Sequence, residues 1–262
     1  MRAMPHAKHA ANNLHVDISC ACSRCRPVSV SASDLLPEDE LIDVAHVPNG
    51  DRLRLVRNGD DFLILLDQHE LMSTDLHASE EALARMTCER LGVRTDPQLL
   101  IGGYGMGFTL RAALAALGDD ACVTIAEIVP QIIDWARGPM HAWTAGCLDD
   151  RRVHLVQDDV AVLISAAYGA YDAILLDVDN GPEGLTRRMN DWLYSPKGLA
   201  AAMDALKPEG ILAIWSASPD MEFANLLSQA GFVVTVVPVE AKADDMPDAD
   251  ELEYVILFAQ RP

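Results

Sequence analysis

Leu99-Leu100-Ile101-Gly102-Gly103-Tyr104-Gly105-Met106-Gly107-Phe108-Thr109-Leu110 reads as an apolar strand, a turn with four glycines in six residues, and the start of a helix. Glycine allows positive φ and lets a ligand approach the main chain with no Cβ in the way. The helix that follows offers unpaired N–H groups to a polar or anionic ligand. A strand, a glycine turn and a helix in this order mark a nucleotide or nucleoside site in an open α/β sheet. Gly102, Gly103, Tyr104, Gly105 and Gly107 are therefore candidate ligand-binding positions.

Downstream, apolar runs at 98–102, 121–126, 152–156, 171–177 and 210–216 alternate with helical patterns near 107–117, 129–137, 158–166, 195–206 and 220–230. That alternation predicts right-handed crossovers and a parallel sheet. The end of the chain differs. Two strands, Phe232–Val239 and Glu253–Gln260, follow one another with only the acidic loop 241–251 between them. A nicotinamide-binding Rossmann domain continues with parallel units, whereas the S-adenosylmethionine (SAM) methyltransferase fold closes with an antiparallel strand. The predicted fold is α/β, a seven-stranded class I SAM-methyltransferase-like (Rossmann-type) sheet with an antiparallel last strand.

Upstream, Leu41–Val47, Arg52–Arg57 and Phe62–Leu66 are short alternating runs separated by Asn49-Gly50 and Asn58-Gly59, dipeptides of tight hairpins. They predict a three-stranded meander, a polar connection over 68–78, and a helix from about Ser79, with Ser79 as its cap, to Leu91. The expected organisation is a disordered extension over 1–35, a β-meander over 36–78 and a nucleoside-binding domain over 79–262.

The 262 residues carry 20 Lys and Arg against 40 Asp and Glu, a net charge of −20. This argues against a nucleic-acid partner, which needs clustered cations, and suits a cationic small substrate. No apolar run reaches the roughly 20 residues of a membrane span, and no secretory leader is evident, so a cytoplasmic location is expected. Cys22 and Cys25 have the spacing of half a zinc site, with Cys20 and His15 near, but no second pair follows. A redox-sensitive tail is expected there, and no metal. Cys88, Cys122 and Cys147 lie in apolar patterns and read as inert thiols. There is no Gly-Lys-Ser/Thr phosphate loop, and no nucleophile elbow surrounds Ser216 or Ser218.

Three strand ends carry the candidate chemistry. Glu127 ends the second strand, placed either to accept hydrogen bonds from ribose hydroxyls or to start the helix at Pro130. Asp158 and Asp159 follow the third strand, where a carboxylate can accept from an adenine amine or cap the next helix. Asp177, with Asp179 and Asn180 just beyond, ends the fourth strand at the topological switch point. A carboxylate there can position a cationic amine or take its proton, or else cap a turn. His77, just before the first helix, reads as a turn residue or as a substrate contact.

With its meander ahead of this domain, the stretch from Leu41 to Gln260 resembles the spermidine synthase (polyamine aminopropyltransferase) family. The resemblance assigns Gly102–Gly107 to the family's glycine-rich loop, Glu127 to its ribose-binding acid, Asp158-Asp159 to its adenine-binding position and Asp177 to the first aspartate of its catalytic loop. The chain departs from the family at Tyr104 and Met106, where family members carry an aspartate. It departs again at Asp177-Val178-Asp179-Asn180-Gly181-Pro182, where they resemble Asp-Ser-Ser-Asp-Pro. The family's tyrosine and glutamate after the meander are not clearly matched by His77-Ala78-Ser79-Glu80-Glu81.

The resemblance implies a homodimeric transferase that uses SAM or decarboxylated SAM as co-substrate and a small amine as acceptor. A small-molecule methyltransferase and a non-catalytic nucleoside-binding regulatory protein are the alternatives.

Overall fold

A computed structural model describes residues 39–47, 51–67, 69–178, 191–240 and 253–262. The expected extension over 1–35, Cys20, Cys22, Cys25, the loop 241–251, and the candidate site residues Asp179 and Asn180 lie outside the described residues.

Two sheets form. The first is antiparallel, in the order β1 (Asp39–His46), β2 (Arg52–Asn58), β3 (Asp61–Leu66), β4 (His69–Ser73). The meander thus has four strands where three were expected. His69-Glu70-Leu71-Met72-Ser73 pairs with β3 through a register shift between Ile64 and Leu65. Five residues of mixed polarity give no clean alternation, and the turn at Asp67 (φ 51°) has no glycine to announce it. α1 (Ala78–Leu91) follows, with His77 at the N-cap position without a side-chain capping bond and Ser79 inside the first turn.

The second sheet begins with β5 (Gln98–Gly102) and runs through α2 (Phe108–Ala116), β6 (Cys122–Ala126), α3 (Pro130–Arg137), a short α4 (His141–Thr144), β7 (Val153–Val156), α5 (Val160–Ala166) and β8 (Tyr171–Leu176). It continues with α6 (Pro196–Ala205), β9 (Leu206–Ser216), α7 (Met221–Gln229), β10 (Val233–Glu240) and β11 (Glu253–Gln260). Its order is β10-β11-β9-β8-β5-β6-β7. β7, β6, β5, β8 and β9 are parallel, and β11 lies antiparallel between β9 and β10. The closing hairpin expected from the sequence is in place, and so is the seven-stranded fold. No helix among the described residues is long and apolar enough to cross a membrane.

The helix starts follow local chemistry. Pro130 and Pro196 sit in the first turns of α3 and α6, where a missing N–H costs nothing. Asp159, Ser195 and Asp220 cap α5, α6 and α7 by accepting from Ala161, Gly198 and Phe223 N–H groups.

The large sheet has a core on each face. On one, Leu199, Leu227 and Phe223 pack over Leu212 and Leu257. On the other, Leu55, Ile64 and Leu66 of the small sheet share a continuous core with Leu83, Met106, Phe108 and Ile101. The meander is therefore built onto the face above the glycine turn, and Trp135 fastens it by donating to Asp43 Oδ2 at 2.7 Å. Cys147 is buried, with Cys88 and Cys122 partly so, and burial pushes the Cys88 thiol up to about 11.

Candidate active site

β5 is the centre of the parallel sheet, paired with β6 on one side and β8 on the other. The chain leaves β5 and β8 in opposite directions, so a crevice opens beyond their carboxyl ends. The glycine turn lies against that crevice. Gly103 has φ +83°, and a Cβ there would stand 2.2 Å from the carbonyl oxygen of Asp177. Only glycine lets the tips of β5 and β8 approach so closely. Gly107 has φ +80°, and a Cβ there would lie 2.7 Å from the Tyr104 hydroxyl, so the tyrosine folds over it.

A cavity of about 540 Å³ occupies the crevice, roofed by the small sheet. This is within the range of small-molecule sites. Gly103, Tyr104, Gly105, Glu127, Asp158, Asp159 and Asp177 line it, so the structure gathers most of the candidate positions around one space. Gly102 and Gly107 stand behind the lining. His77 is not brought to it: Nδ1 lies 2.9 Å from the Thr74 carbonyl, Nε2 lies 3.5 Å from Glu81, and the ring stacks on Phe108 at 4.3 Å.

Glu127 is buried, and its carboxylate is fixed by two main-chain donors. Tyr104 N–H donates to Oε2 at 2.9 Å and Val129 N–H to Oε1 at 2.8 Å. Burial raises its pKa, and these donors oppose the rise. Tyr104 thus contributes its backbone, while its ring is buried with the hydroxyl 3.4 Å from Cys147 Sγ. Asp159 Oδ1 accepts from Ala161 N–H, and Asp158 Oδ1 from Asp159 N–H, both at 2.8 Å. Asp158 is exposed, whereas Asp159 is half-buried and held in orientation by its cap.

At the other end, Thr109 donates to Asp177 Oδ2 at 2.6 Å from the first turn of α2. Facing this from α1 is Glu80, whose Oε2 accepts from the Ser79 hydroxyl at 2.5 Å. Burial raises the pKa of both Glu80 and Asp177, and the Asp177 charge raises Glu80 further. Glu70 on β4 and Tyr254 on β11 complete this end, each with a pKa raised first by burial. Six carboxylates line the cavity, and no Lys, Arg or His is among the described residues that do.

Sequence reasoning missed Glu80, Glu70, Thr109 and Tyr254. Glu80 in a first helical turn reads as compensation of the helix dipole. Glu70 lies in the strand that went unrecognised. Tyr254 reaches the cavity only because β11 inserts beside β9, a placement no local pattern reveals.

The model of the spermine/spermidine synthase domain matches residues 81–242. The chain belongs to the spermine/spermidine synthase family. Among curated relatives, the polyamine aminopropyltransferase of Mycobacterium tuberculosis is 29% identical over 191 residues, 69% of this chain and 35% of that protein. The one from Saccharolobus solfataricus is 28% identical over 145 residues, 55% of this chain and 46% of that protein. The chain thus spans between about a third and a half of the length of these family members.

Two solved structures share the spermidine synthase fold. The spermidine synthase of Thermotoga maritima aligns with a TM-score of 0.67 at 19% identity, covering 85% of this chain and 73% of that one. A spermidine synthase in complex with the transition-state analogue AdoDATO aligns with a TM-score of 0.66 at 20% identity, covering 85% and 72%.

Proposed function

We propose that the protein is an aminopropyltransferase that takes decarboxylated SAM as donor and a small cationic amine as acceptor. The observation that carries this reading is the cavity wall with six carboxylates and no basic side chain among its described residues. SAM itself would bring a carboxylate into that wall with no cation to meet it, an unfavourable like-charge contact. Decarboxylated SAM and an amine bring only positive charge. The names of the curated relatives support the same reaction.

In this reading Glu127 holds the ribose hydroxyls. The main-chain N–H groups of Tyr104 and Val129, one to each oxygen, fix the carboxylate in place at the tip of β6. Asp159, oriented by its cap and with Oδ2 outside that bond, accepts from the adenine amine, and Asp158 flanks it. The sulfonium end of the donor then lies toward Asp177. The acceptor amine loses a proton to Asp177 and its nitrogen attacks the propyl carbon attached to sulfur. A C–N bond forms, the C–S bond breaks, and neutral methylthioadenosine leaves. A base with a raised pKa suits this step, because it is closer in proton affinity to what it must deprotonate. Asp179 and Asn180 join Asp177 at the acceptor in this proposal.

Incubation with decarboxylated SAM and putrescine is expected to release methylthioadenosine. Release of S-adenosylhomocysteine from SAM and a small molecule instead would make the protein a methyltransferase. On the family resemblance we extend the proposal to a homodimer in the cytoplasm, and light scattering at twice the chain mass tests the dimer.

A further inference from the structure

Asp177 is the carboxylate that the family resemblance singles out, but the cavity presents a second one at the same end. We propose that Glu80 is an amine-binding residue that works as a pair with Asp177, the two carboxylates closing on a single ammonium group from α1 and from the tip of β8. The proposal rests on the aminopropyltransferase reading and deepens it by giving the acceptor amine two anionic contacts.

The geometry on both sides is alike. Each carboxylate is anchored by a neutral hydroxyl, Ser79 to Glu80 Oε2 and Thr109 to Asp177 Oδ2, and Glu80 also takes its own main-chain N–H. Thr109 also ties the two walls together, its hydroxyl lying 3.4 Å from the Glu80 carbonyl oxygen. This leaves Glu80 Oε1 and Asp177 Oδ1 outside these hydroxyl bonds. Neither carboxylate has an ion pair within 4 Å among the described residues. Two basic side chains beside α1 are turned elsewhere: the His77 ring and Arg111 both approach Glu81, at 3.5 and 4.0 Å, and Arg111 donates to the Trp143 carbonyl at 2.6 Å. Tyr254 from β11 and Glu70 from β4 face the pair, and both bring negative or neutral groups. Two acids that share a site without a cation cannot both ionise cheaply. The free protein therefore keeps a proton on the pair, and a bound ammonium group replaces it. Amine binding is coupled to proton release, and the released proton balances the charge the amine brings.

Calorimetry of methylthioadenosine-saturated protein with diamines of three to five carbons, run near neutral pH in buffers of different ionisation enthalpy, reads this exchange. The wild type is expected to release a sizeable fraction of a proton per amine bound. Glu80→Gln is expected to bind methylthioadenosine within about twofold and the diamine at least about tenfold more weakly, with proton release lost. Diamine binding that is unchanged in Glu80→Gln overturns the pairing and leaves aminopropyl transfer standing. Diamine binding by the wild type without proton release, or no diamine binding at all, also overturns it. Glu80-dependent diamine binding with proton release, but without methylthioadenosine formation from decarboxylated SAM, upholds the pairing and removes the reaction.

Should Glu80→Gln fail to fold, carbon-13 NMR of labelled glutamate gives a second reading. In Asp177→Asn the Glu80 resonance is expected to titrate at lower pH than in the wild type. An unchanged midpoint overturns the pair.

Discussion

Asp172 and Asp177 stand at opposite ends of one strand, and their surroundings are opposite in kind. Asp172, at the start of β8, is buried and surrounded by donors. Lys207 reaches Oδ2 at 2.6 Å, Gln98 N–H donates to the same oxygen at 2.8 Å, and Arg94 lies 3.4 Å from Oδ1. It ties together the starts of β5, β8 and β9. Asp177 has one neutral hydroxyl and another carboxylate for company. A buried acid fully supplied with partners is structural, and one left short of positive charge is prepared for a ligand that brings it. The contrast separates the two roles more sharply than residue type could.

The largest break in that contrast comes from removing the carboxylate charge at each end. Asp177→Asn is expected to lower turnover by about 10²–10⁴-fold while methylthioadenosine binding stays within a few-fold, measured by product release and by calorimetry. Turnover close to wild type would put the base elsewhere. Asp172→Ala should leave the chemistry intact and weaken the fold. Removing one partner of a buried pair costs about 3 kcal/mol, or roughly 6–12 °C in Tm for a chain of this class, measured by thermal denaturation.

A smaller effect tests how close the two strand tips must be. Gly103→Ala would place a methyl group against the Asp177 carbonyl at a positive φ. Loss of stability of about 1–3 kcal/mol is expected, together with weakened nucleoside binding, read by denaturation and calorimetry.

The smallest effect concerns pH. Glu80 and Asp177 have pKa values raised by folding. Such groups favour the folded state while protonated, and that contribution is lost as pH rises from the ordinary carboxylate range towards neutrality. The free wild type should therefore lose Tm between about pH 4 and about pH 7, and Glu80→Gln should lose less. Parallel curves for the two proteins would show that Glu80 ionises without cost.

The parallel strands were legible because each is an apolar run closed by a turn signal, and Glu127, Asp158, Asp159 and Asp177 were legible because they end those runs. Strand direction then carried them to one crevice. Glu80 was ambiguous, since an acid in the first turn of a helix serves the helix equally well wherever it faces. β4 failed for lack of alternation, and with it Glu70. Of the two readings of His77 the fold favours the turn residue: its ring nitrogens lie against the Thr74 carbonyl and Glu81, and its ring face stacks on Phe108 of α2.

β11 follows β10 along the chain yet lies inside it in the sheet, between β10 and β9. The sheet thus cannot be assembled in the order in which it is synthesised. Until Val255–Gln260 docks on Ile211–Ser216, the β10–β11 hairpin stays apart from the rest of the sheet and β9 keeps an open, apolar edge. Such a pairing spans many residues of chain and is slow to find. Since the same strand carries Tyr254 to the cavity, the step that closes the sheet also finishes the binding site, and no partly assembled form can offer a complete pocket.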